Sequence, residues 1–470
     1  MQDVIFREYD IRGKVGSELS IDKVYDLARA IAYYFVQHNP RVKTVAVGMD
    51  GRTHSPLIKD ELIRGLTDSG LDVIFVGLCP SPALYFALYT LPVEAGLMVT
   101  ASHNPADYNG IKICLGKKSV WGSQVNELLR LYKQRSFLQS TQKGSITEKP
   151  IIQTYISWLA DHFASLKNIP INAVIDCGNG AGGAVVPLLV EAMGWANVTV
   201  LYPEVDGTYP NHEADPVKEK NMADVKKVLG TTQATVGIGL DGDADRMVAM
   251  TKDGFLVPGD QMLAIFSKQL LLEYPGASIV LDIKSSSSLL EMLGVWGGRA
   301  CLSPSGHAII KDQMRAHKAL LGGELSCHFF FNDRYFGYDD GIYAMLRLFE
   351  LIQQSGKSLE QLVREFPKKW SSPEFRLPCD ENKKDAVVQA VKSYFLCVPN
   401  SQMITIDGVR VTLPYGWGIV RASNTQAELC VRFESDSCDG LRRIRQDFIA
   451  ALQPYLSSDV LSDLCVIEHA

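Results

Sequence analysis

The chain has 470 residues, of which 46% are hydrophobic and 21% are charged, and it carries a formal net charge of −6. This composition excludes an intrinsically disordered chain and argues against a general nucleic-acid binder, whose surface is usually basic. At roughly 100–200 residues per domain, the length predicts about three domains, give or take one.

The N-terminal sequence and the cysteines indicate the compartment. "MQDVIFREYD" lacks the basic start and apolar core of a secretory signal, and no apolar run reaches the roughly 20 residues that span a bilayer. The ten cysteines are scattered singly, without a CxxC pair, which favours reduced and buried thiols over disulfides or zinc. We therefore expect a cytoplasmic protein with no membrane partner and no nucleic-acid partner.

Strand-like runs alternate with helix-like segments through most of the chain, which predicts largely parallel α/β sheets. Three sets of strands repeat, beginning with "TVAVGMDGR", "NAVIDCGNG" and "SIVLDIKSS". The third member of each set ends in a polar loop: "AGLMVTASHNP", "ATVGIGLDGDADR" and "ALLGGELSCHFF". Because ligands bind at the carboxyl ends of strands in open α/β sheets, these loops are predicted to serve one site.

The last part of the chain has a different pattern. "ITIDGVRVTL", "GIVRAS" and "AELCVRFES" alternate like strands solvated on one face, and "CDGLRRIRQDFIAALQPYL" has the period of an amphipathic helix. The predicted fold class is α/β: three similar α/β units with mixed, largely parallel sheets, plus a smaller C-terminal α+β domain, around a central cleft. The predicted domains are residues 1–143, 144–252, 253–368 and 369–470.

The first polar loop, "TASHNP", places a hydroxyl at Ser102 shortly before Pro105. Pro105 biases Asn104 toward an extended conformation, which predicts a stiff loop that presents the hydroxyl outward. A Ser–His hydrolase pair with His103 is not expected, because adjacent side chains of an extended chain point in opposite directions and the G-x-S-x-G elbow is absent. A polar turn without chemistry is the alternative.

The second loop, "GLDGDADRM", sets three carboxylates at alternate positions, Asp241, Asp243 and Asp245. Two carboxylates 4 Å apart repel by about 4 kcal/mol at an effective dielectric of 20, so three converging ones favour a hard divalent cation. An EF-hand is excluded, since it would need Gly in place of Arg246 and Glu in place of Lys252. A solvated acidic turn is the alternative to a magnesium site.

The third loop, "GGELSCHFF", is predicted to be extended, with Glu324, Ser326 and His328 on one side, a row that suits sugar hydroxyls. Zinc binding by Cys327 and His328 is not expected, because neighbouring side chains diverge and no further ligands stand at a suitable spacing. A half-buried strand with incidental polar residues is the alternative.

The fourth loop joins two strands in "GIVRASNTQAELCVRF" and concentrates hydrogen-bond donors. A guanidinium, two hydroxyls, an amide and the backbone N–H groups match phosphate oxygens. A plain hairpin turn is the alternative, although it leaves the arginine unexplained. The predicted phosphate-binding residues are Arg421, Ser423, Asn424 and Thr425.

A loose dinucleotide fingerprint is also present in "DCGNGAGG", through Gly178, Gly180 and Gly183, with Glu204 and Asp206 downstream. Glycines at a strand-to-helix turn also arise for packing alone. Nicotinamide binding explains none of the four polar loops, so we do not favour it.

Together these motifs give the chain a specific resemblance. "FREYDIRG", "TASHNP", "DGDADR", "GELSCH" and "RASNT" stand in the order found in the α-D-phosphohexomutase superfamily, and the chain is most similar to its bacterial phosphomannomutase/phosphoglucomutase branch. The resemblance covers the chain from end to end. It implies reversible interconversion of hexose 1-phosphate and hexose 6-phosphate, of mannose or glucose or both.

The resemblance also implies a mechanism and its cofactors. Ser102 would be a phosphoserine that passes its phosphoryl group to the sugar through a hexose 1,6-bisphosphate intermediate, and a hexose 1,6-bisphosphate would serve as activator. Mg²⁺ would bridge the Ser102 phosphate and Asp241, Asp243 and Asp245.

Further residues match family positions around the cleft. Lys112 would be the proton-transfer partner, and Glu324 and Ser326 would hold the sugar 3- and 4-hydroxyls with His328 nearby. The far phosphate would rest on the fourth loop. The other implied catalytic positions are His103, Arg246, Arg12, Tyr9, Lys284 and His307.

Three positions depart from the family pattern: Ala244 where Gly is frequent, Cys327 where a smaller residue is usual, and Ser285–Ser288 where relatives are more basic. The third loop also lacks the Gln typical of phosphoglucosamine mutases, which disfavours that activity without excluding it, so it stays the alternative.

Two other classes of protein are weighed. A haloacid-dehalogenase-type phosphatase would use Asp241 as nucleophile, but it would need Thr or Val in place of Asp245 and would leave Ser102 without a role. A non-catalytic phosphosugar sensor would bind without turnover. We expect a monomer or a homodimer.

Overall fold

The protein is represented by a computed structural model that describes residues 1–423 and 426–465. Four β-sheets follow one another along the chain, each with its own helices. Within the described ranges, no helix combines the length and the apolar character that a membrane span requires.

The first unit is a sheet with helices on both faces. Its strands are β1 (Ile11–Lys14), β2 (Thr44–Met49), β3 (Asp72–Leu78), β4 (Ala95–Val99), β5 (Tyr108–Leu115), β6 (Lys118–Ser119) and β7 (Ile146–Glu148). Its helices are α1 (Val24–His38), α2 (Ser55–Asp68), α3 (Ser81–Thr90) and α4 (Ser123–Lys133). The strand order is β1-β5-β4-β2-β3-β7, with β6 beside β5.

The second unit is a five-stranded sheet, also covered on both faces. Its helices are α5 (Ile152–His162), α6 (Val186–Met193) and α7 (Ala223–Thr231). Its strands are β8 (Ala173–Asp176), β9 (Val198–Leu201), β10 (Val236–Leu240), β11 (Met247–Thr251) and β12 (Leu256–Val257). The strand order is β12-β11-β10-β8-β9.

The third unit is a four-stranded sheet in the order β14-β13-β15-β16, where the strands are β13 (Ser278–Asp282), β14 (Arg299–Ser303), β15 (Leu321–Gly323) and β16 (Phe329–Phe331). Its helices are α8 (Gly259–Glu273), α9 (Ser287–Val295), α10 (His307–His317), α11 (Gly341–Ser355) and α12 (Leu359–Val363). As in the first two units, helices pack on both faces.

The three units share one topology. The orders β3-β2-β4-β5, β9-β8-β10-β11 and β14-β13-β15-β16 each hold three parallel strands and an antiparallel fourth. The strand next to the antiparallel one is β4, β10 or β15, and its carboxyl end carries the polar loop that the sequence predicts. The repeat of three similar α/β units is therefore confirmed.

The fourth unit is an antiparallel sheet whose helices pack in one cluster against it, as an α+β domain should. Its strands are β17 (Trp370–Ser371), β18 (Phe375–Pro378), β19 (Gln402–Ile404), β20 (Val409–Leu413), β21 (Gly416–Ala422) and β22 (Glu428–Ser435). Its helices are α13 (Lys384–Leu396), α14 (Cys438–Leu452) and α15 (Ser458–Ser462).

Sheet limits bear on the predicted domains. β7 pairs with β3 and β12 pairs with β11, so two of the predicted boundaries, 143/144 and 252/253, fall before the last strand of a sheet. The division into 1–143, 144–252, 253–368 and 369–470 stays a prediction. We propose to move those two boundaries to 148/149 and 257/258.

The hydrophobic core is continuous through the first three units and separate in the fourth. One cluster of buried side chains runs from Ala46 to Leu362, whereas the fourth sheet packs around its own cluster from Leu377 to Leu464. A small apolar cluster joins the third and fourth units: Ile283, Trp417 and Ile419.

Buried polar contacts also join the third and fourth units. Arg432 donates to Asp260 at 3.0 Å, with both side chains buried. Arg410 donates to the carbonyl oxygens of Ile283 and Ser285 at 2.7 and 2.8 Å. The fourth unit is thus attached to the third largely through hydrogen bonds.

Candidate active site

The three polar loops meet at one edge of the molecule because they leave equivalent strands. β4 and β10 are buried along their whole length, so they read as continuous apolar runs, and polar side chains begin where each strand ends. Ser102 follows β4, Asp241 follows β10 and Glu324 follows β15. Contacts across these loops form the candidate site.

Ser102 lies at the contact between the first two loops. Its backbone adopts a left-handed conformation with φ of 50°, and its N–H donates to Thr100 Oγ1 at 2.9 Å. Its hydroxyl donates to Asp241 Oδ2 at 2.9 Å across 139 positions of sequence. A hydroxyl of the first unit is therefore held against the acidic loop of the second.

The position of His103 differs from the expectation that its side chain points away from that of Ser102. The side chains of Ser102 and His103 do not point apart; Ser102 Oγ lies 3.1 Å from His103 Nδ1. The left-handed residue breaks the alternation that holds on an extended chain. Burial, with Arg246 and Arg12 nearby, lowers the pKa of His103 well below its usual value, so the imidazole is neutral.

Asp241, Asp243 and Asp245 are fully buried, and one oxygen from each lies within 4.8 Å of the others. Burial raises the pKa of Asp241 to about 7, although Arg246 Nε donates to its Oδ2 at 2.9 Å. The Oδ1 atoms of Asp243 and Asp245 are buried and find no hydrogen-bond partner in the part of the chain that the structure describes. Such orphaned oxygens in an all-carboxylate set fit a hard divalent cation.

Three units hold the backbone of this acidic loop. The carbonyl of Gly242 accepts from Ala181 N–H at 2.9 Å. The carbonyl of Asp243 accepts from Ser81 N–H at 3.0 Å, and that of Ala244 accepts from Gly341 N–H at 3.1 Å. Consecutive carbonyls are thus fixed by the second, first and third units, which sets the directions of the carboxylates.

Lys112 is buried beside the same carboxylates. Its Nζ donates to Asp243 Oδ2 at 2.6 Å and to Asp245 Oδ2 at 2.5 Å. Burial alone would lower its pKa, but the two carboxylates raise it well above the usual value. The side chain is therefore an ammonium that balances part of the acidic charge.

The sugar loop also differs from its sequence prediction. Glu324 to His328 form a turn, not an extended row: Glu324 N–H donates to the His328 carbonyl and Cys327 N–H to the Glu324 carbonyl, both at 3.0 Å. Cys327 carries the turn with φ of 68°. Glu324, Ser326 and His328 nevertheless all face the same cleft. The turn gathers side chains that an extended segment would have spread.

Left-handed backbone also explains two departures from the family pattern. Ala244 has φ of 55° and Cys327 has φ of 68°, a conformation that glycine adopts without cost. Small residues are therefore favoured at both positions.

Asp339 is a member of the site that the sequence did not reveal. Its carboxylate lies 2.9 Å from Lys311 Nζ, 3.3 Å from His307 Nδ1 and 3.2 Å from His328 Nδ1. Burial would raise the pKa of Asp339, but the Lys311 ammonium and the hydrogen bonds from His307 and His328 lower it well below its usual value. Although Asp245, His328 and Asp339 are close enough to share an ion, the surrounding cations make this cluster a charge network.

Tyr9, His307 and Lys284 also line the cleft. The Tyr9 hydroxyl donates to the Ser305 carbonyl at 2.6 Å, and its ring stands edge-on to His307 with centroids 6.0 Å apart. Lys284 Nζ lies 2.8 Å from a carboxylate oxygen of Glu374 in the fourth unit. These contacts place residues of three units around one space.

The serine run after Lys284 has structural contacts. Ser286 caps α9 by accepting from Ser288 N–H, and Ser287 Oγ donates to Glu434 of the fourth unit at 2.7 Å. Arg410 and Arg432 of the fourth unit donate to backbone carbonyls of this segment. Positive charge reaches the loop from another part of the chain instead of from its own sequence.

The fourth loop is described in part, because Asn424 and Thr425 lie outside the described residues. Arg421 Nε donates to Asp407 Oδ2 at 2.9 Å, and the same oxygen accepts from Ser305 N–H at 3.0 Å. Arg421 and Ser423 both line the cleft. Two of the four predicted phosphate-binding residues therefore line the same cleft as Ser102.

Glycines of the "DCGNGAGG" motif in the second unit pack closely against neighbouring backbone, including that of the acidic loop. A Cβ at Gly180 would lie 2.8 Å from the Gly242 carbonyl oxygen, and one at Gly183 would lie 2.0 Å from the Pro203 carbonyl oxygen. These glycines are required for close packing, which accounts for the motif without a dinucleotide.

The resulting cleft has a volume of about 380 Å³, within the range of small-molecule sites. Most of the predicted residues line it: Tyr9, Arg12, Ser102, His103, Lys112, Asp245, Arg246, Lys284, His307, Glu324, Ser326, His328, Arg421 and Ser423. Asp241 and Asp243 lie directly behind this wall. Residues that the sequence did not single out also line the cleft: Arg7, Asp10, Asn104, Tyr108, Ser305, Gly306, Glu374, Arg376, Gln426, Ala427 and Cys430.

The cleft is cationic although the whole chain is acidic. Five arginines and two lysines line it, against four carboxylates: Asp10, Asp245, Glu324 and Glu374. A site lined by an excess of positive charge suits a ligand that carries negative charge. With a presented hydroxyl and an acidic metal loop, it is suited to phosphoryl transfer.

Comparisons with known proteins give the same class. Successive parts of the chain match the phosphoglucomutase/phosphomannomutase alpha/beta/alpha domains I, II and III, over residues 3–138, 153–254 and 258–370. The C-terminal domain of the same family matches residues 374–451. The chain therefore belongs to the phosphoglucomutase/phosphomannomutase family, and it is a phosphohexomutase, an intramolecular phosphotransferase of the isomerase class.

Individual relatives cover nearly the whole chain. It is 40% identical over 453 residues to a phosphomannomutase/phosphoglucomutase of Pseudomonas syringae pv. tomato, covering 96% of each chain. A phosphoglucomutase of Neisseria gonorrhoeae is 40% identical over 450 residues, also with 96% coverage of each. A crystal structure of a family protein from Burkholderia thailandensis superposes with a TM-score of 0.89 at 33% identity, covering 97% of this chain and 98% of that one.

Proposed function

We propose that this enzyme interconverts the 1-phosphate and 6-phosphate of mannose, glucose or both, with Ser102 as the phosphoryl carrier. The observation that carries the proposal is the 2.9 Å hydrogen bond from Ser102 Oγ to Asp241 Oδ2. It brings a presented hydroxyl to three buried carboxylates, inside a cationic cleft that extends to the sugar and phosphate loops. The names of the relatives in Pseudomonas and Neisseria support mannose and glucose as the sugars.

The reaction has two matched transfers. In the first, the bond from phosphorus to Ser102 Oγ breaks as a bond to the free sugar hydroxyl forms, and the proton of that hydroxyl ends on Ser102 Oγ. The product is a hexose 1,6-bisphosphate, which turns end for end in the cleft. Its other phosphoryl group then returns to Ser102, whose proton passes to the sugar oxygen released.

Mg²⁺ would be held by Asp241, Asp243 and Asp245 with an oxygen of the Ser102 phosphate. When bound, it would neutralise charge on the transferring phosphoryl group. The hydroxyl of Ser102 has Asp241 Oδ2 and His103 Nδ1 within reach as proton acceptors. We assign Lys112 Nζ, which is protonated and lines the same wall, to proton transfer at the bridging oxygen.

The other residues bind and orient the substrate. Among the described residues, Glu324 Oε2 has no hydrogen-bond partner, and Glu324 lines the cleft, so its carboxylate is available to a sugar hydroxyl. Ser326 and His328 would complete the sugar site. The phosphate distant from Ser102 would rest on Arg421 and Ser423, together with Asn424 and Thr425. The remaining proposed contacts to the reacting phosphate are Arg12, Tyr9, Arg246, Lys284 and His307.

The substrate is tested by coupled assays with mannose 1-phosphate, glucose 1-phosphate and glucosamine 1-phosphate in parallel, with glucose 1,6-bisphosphate as activator. Turnover of the first two above the third supports the proposal. A preference for glucosamine 1-phosphate would make the enzyme a phosphoglucosamine mutase. Binding without turnover of any of them would indicate a sensor.

The covalent carrier is tested by labelling the protein from hexose bisphosphate. Acid-stable label that maps to Ser102 supports a phosphoserine. Label released by hydroxylamine would identify an acyl phosphate on Asp241, as a haloacid-dehalogenase-type phosphatase forms.

Chelation gives a third measurement. Exhaustive treatment with EDTA, followed by its removal, is expected to lower turnover by at least about 100-fold, because the transferring charge loses its divalent counter-ion. Added Mg²⁺ should restore activity, and metal content should follow it. Treatment with the preformed Mg–EDTA complex is the control. Full activity in metal-free protein would contradict the assignment of the three aspartates.

We extend the proposal to a cytoplasmic monomer or homodimer. Nine cysteines of the described ranges carry free thiols, as a reducing compartment would maintain. Light scattering of the purified protein determines the oligomeric state.

A further inference from the structure

Arg52 is a buried cation outside the cleft and outside the mechanism above. It lies between β2 and α2, its side chain is fully buried, and it does not line the catalytic space. A guanidinium taken out of water must find partners for its N–H groups. The identity of those partners indicates what Arg52 does.

All four terminal N–H positions of Arg52 are directed at the backbone of the serine loop. Nη2 donates to the carbonyl oxygens of Ser102 and Asn104, both at 2.7 Å. Nη1 donates to the carbonyl oxygens of Pro105 and Tyr108 at 2.7 and 3.0 Å. One rigid, planar group therefore fixes four carbonyls within seven consecutive residues.

These four hydrogen bonds, called the clamp below, act on the backbone at Ser102, the residue that presents the reactive hydroxyl. Ser102 has φ of 50°, which a side-chain-bearing residue adopts at a cost, so the loop needs outside support to hold it. Arg52 holds the carbonyl of Ser102, and Thr100 Oγ1 holds its N–H. Together they fix the peptide groups on both sides of the reactive hydroxyl.

The guanidinium is itself fixed from two directions. Asp50 Oδ2 lies 3.2 Å from Arg52 Nε within the same unit. From the second unit, the Tyr209 ring covers the guanidinium at 5.2 Å, and a Cβ at Gly207 would lie 2.4 Å from the Arg52 Cα. The clamp therefore lies where the first unit, which carries Ser102, contacts the second unit, which carries the acidic loop.

We propose that Arg52 is a positioning residue: its fork holds the serine loop rigid, so that the Ser102 oxygen stays aligned with the acidic loop in both its phosphorylated and its free state. Arg52 touches neither substrate nor the transferring phosphate. This inference rests on the proposed role of Ser102.

The test is Arg52→Lys, which keeps the charge but cannot make four divergent, coplanar hydrogen bonds. We expect kcat to fall by about 100-fold, since small misplacements of a reacting group have effects of that size. KM should change less than about threefold, because the sugar and phosphate loops are untouched. The rate at which glucose 1,6-bisphosphate phosphorylates Ser102 should fall by the same factor as kcat.

Hydrogen exchange measures the rigidity of the serine loop independently of catalysis. In the substrate-free Arg52→Lys protein, a peptide covering residues 102–108 should exchange at least about tenfold faster than in the wild type. Arg130→Lys, at an exposed position of α4, is the matched control and should match the wild type in every readout. Unchanged exchange and a kcat within twofold of wild type would overturn the proposal.

A second variant keeps the test decisive if Arg52→Lys does not fold. Tyr209→Leu removes the aromatic cover and leaves Arg52 in place, and it should raise exchange in 102–108 and lower kcat with little effect on KM. Unchanged loop exchange in this variant would count against the clamp. Should the wild type itself never be phosphorylated on Ser102, the proposed function fails, whereas the exchange result still judges the clamp.

Discussion

Ser102→Ala is expected to lower mutase turnover by at least about 1,000-fold, because the variant loses the hydroxyl that lines the cleft and donates to Asp241. The loss should appear in kcat, while substrate binding through the sugar and phosphate loops persists. The fold should survive, since Asp241 keeps its bonds from the Arg246 backbone and Nε. Coupled assays with glucose 1,6-bisphosphate present, and thermal unfolding, measure the two effects.

The matched control is Ser123→Ala, an exposed serine at the start of α4 in the same unit. It should retain wild-type turnover and phosphate content. Mass spectrometry should find phosphate on wild-type protein after incubation with the bisphosphate, and none on Ser102→Ala. A Ser102→Ala enzyme with turnover near that of the wild type would refute the phosphoserine mechanism.

Gly242→Ala is expected to lower kcat by about 100-fold although it changes no chemical group in the site. A Cβ at Gly242 would lie 2.4 Å from the Ser102 carbonyl oxygen and 3.0 Å from the Tyr209 hydroxyl. A Cβ contact of 2.4 Å to a backbone oxygen is too short to persist, so the serine loop and the acidic loop must move apart. That separation lengthens the path between Ser102 Oγ and Asp241, which is the distance the reaction depends on.

Gly230→Ala is the control for the same substitution. Gly230 lies in α7, no atom stands within 4 Å of its added Cβ, and alanine favours a helix, so activity should be unchanged. Steady-state kinetics and Mg²⁺ binding by calorimetry separate the two variants. Wild-type kcat in folded Gly242→Ala would show that the two loops are not packed as tightly as their backbones indicate.

The sequence could predict the site because its signals are local. Buried strands that end in Ser102, Asp241 and Glu324 are visible as apolar runs followed by polar residues, and the topology then brings equivalent strand ends together. The repeat of three units follows from the same pattern. Neither inference needs a contact between distant residues.

What the sequence could not predict depends on such contacts. The left-handed backbone at Ser102 and at Cys327 could not be predicted, because neither position is a glycine, the residue that usually indicates this conformation. Arg52 reads as an ordinary residue after a strand, and its four partners appear only when the chain folds back. Asp339 likewise acquires Lys311 and its two histidine neighbours from elements that the sequence does not place together.

The polar contact between the third and fourth units affects the heat capacity of separating them. Parting that lobe from the rest would expose charged and amide groups such as Arg432 and Asp260, together with the apolar cluster of Ile283, Trp417 and Ile419 and its neighbours Leu302 and Ile404. Exposure of polar groups lowers the heat capacity while exposure of apolar groups raises it, so the two contributions largely cancel. The enthalpy of parting should therefore vary little with temperature, and a van't Hoff plot of the closed and parted arrangements should be close to straight.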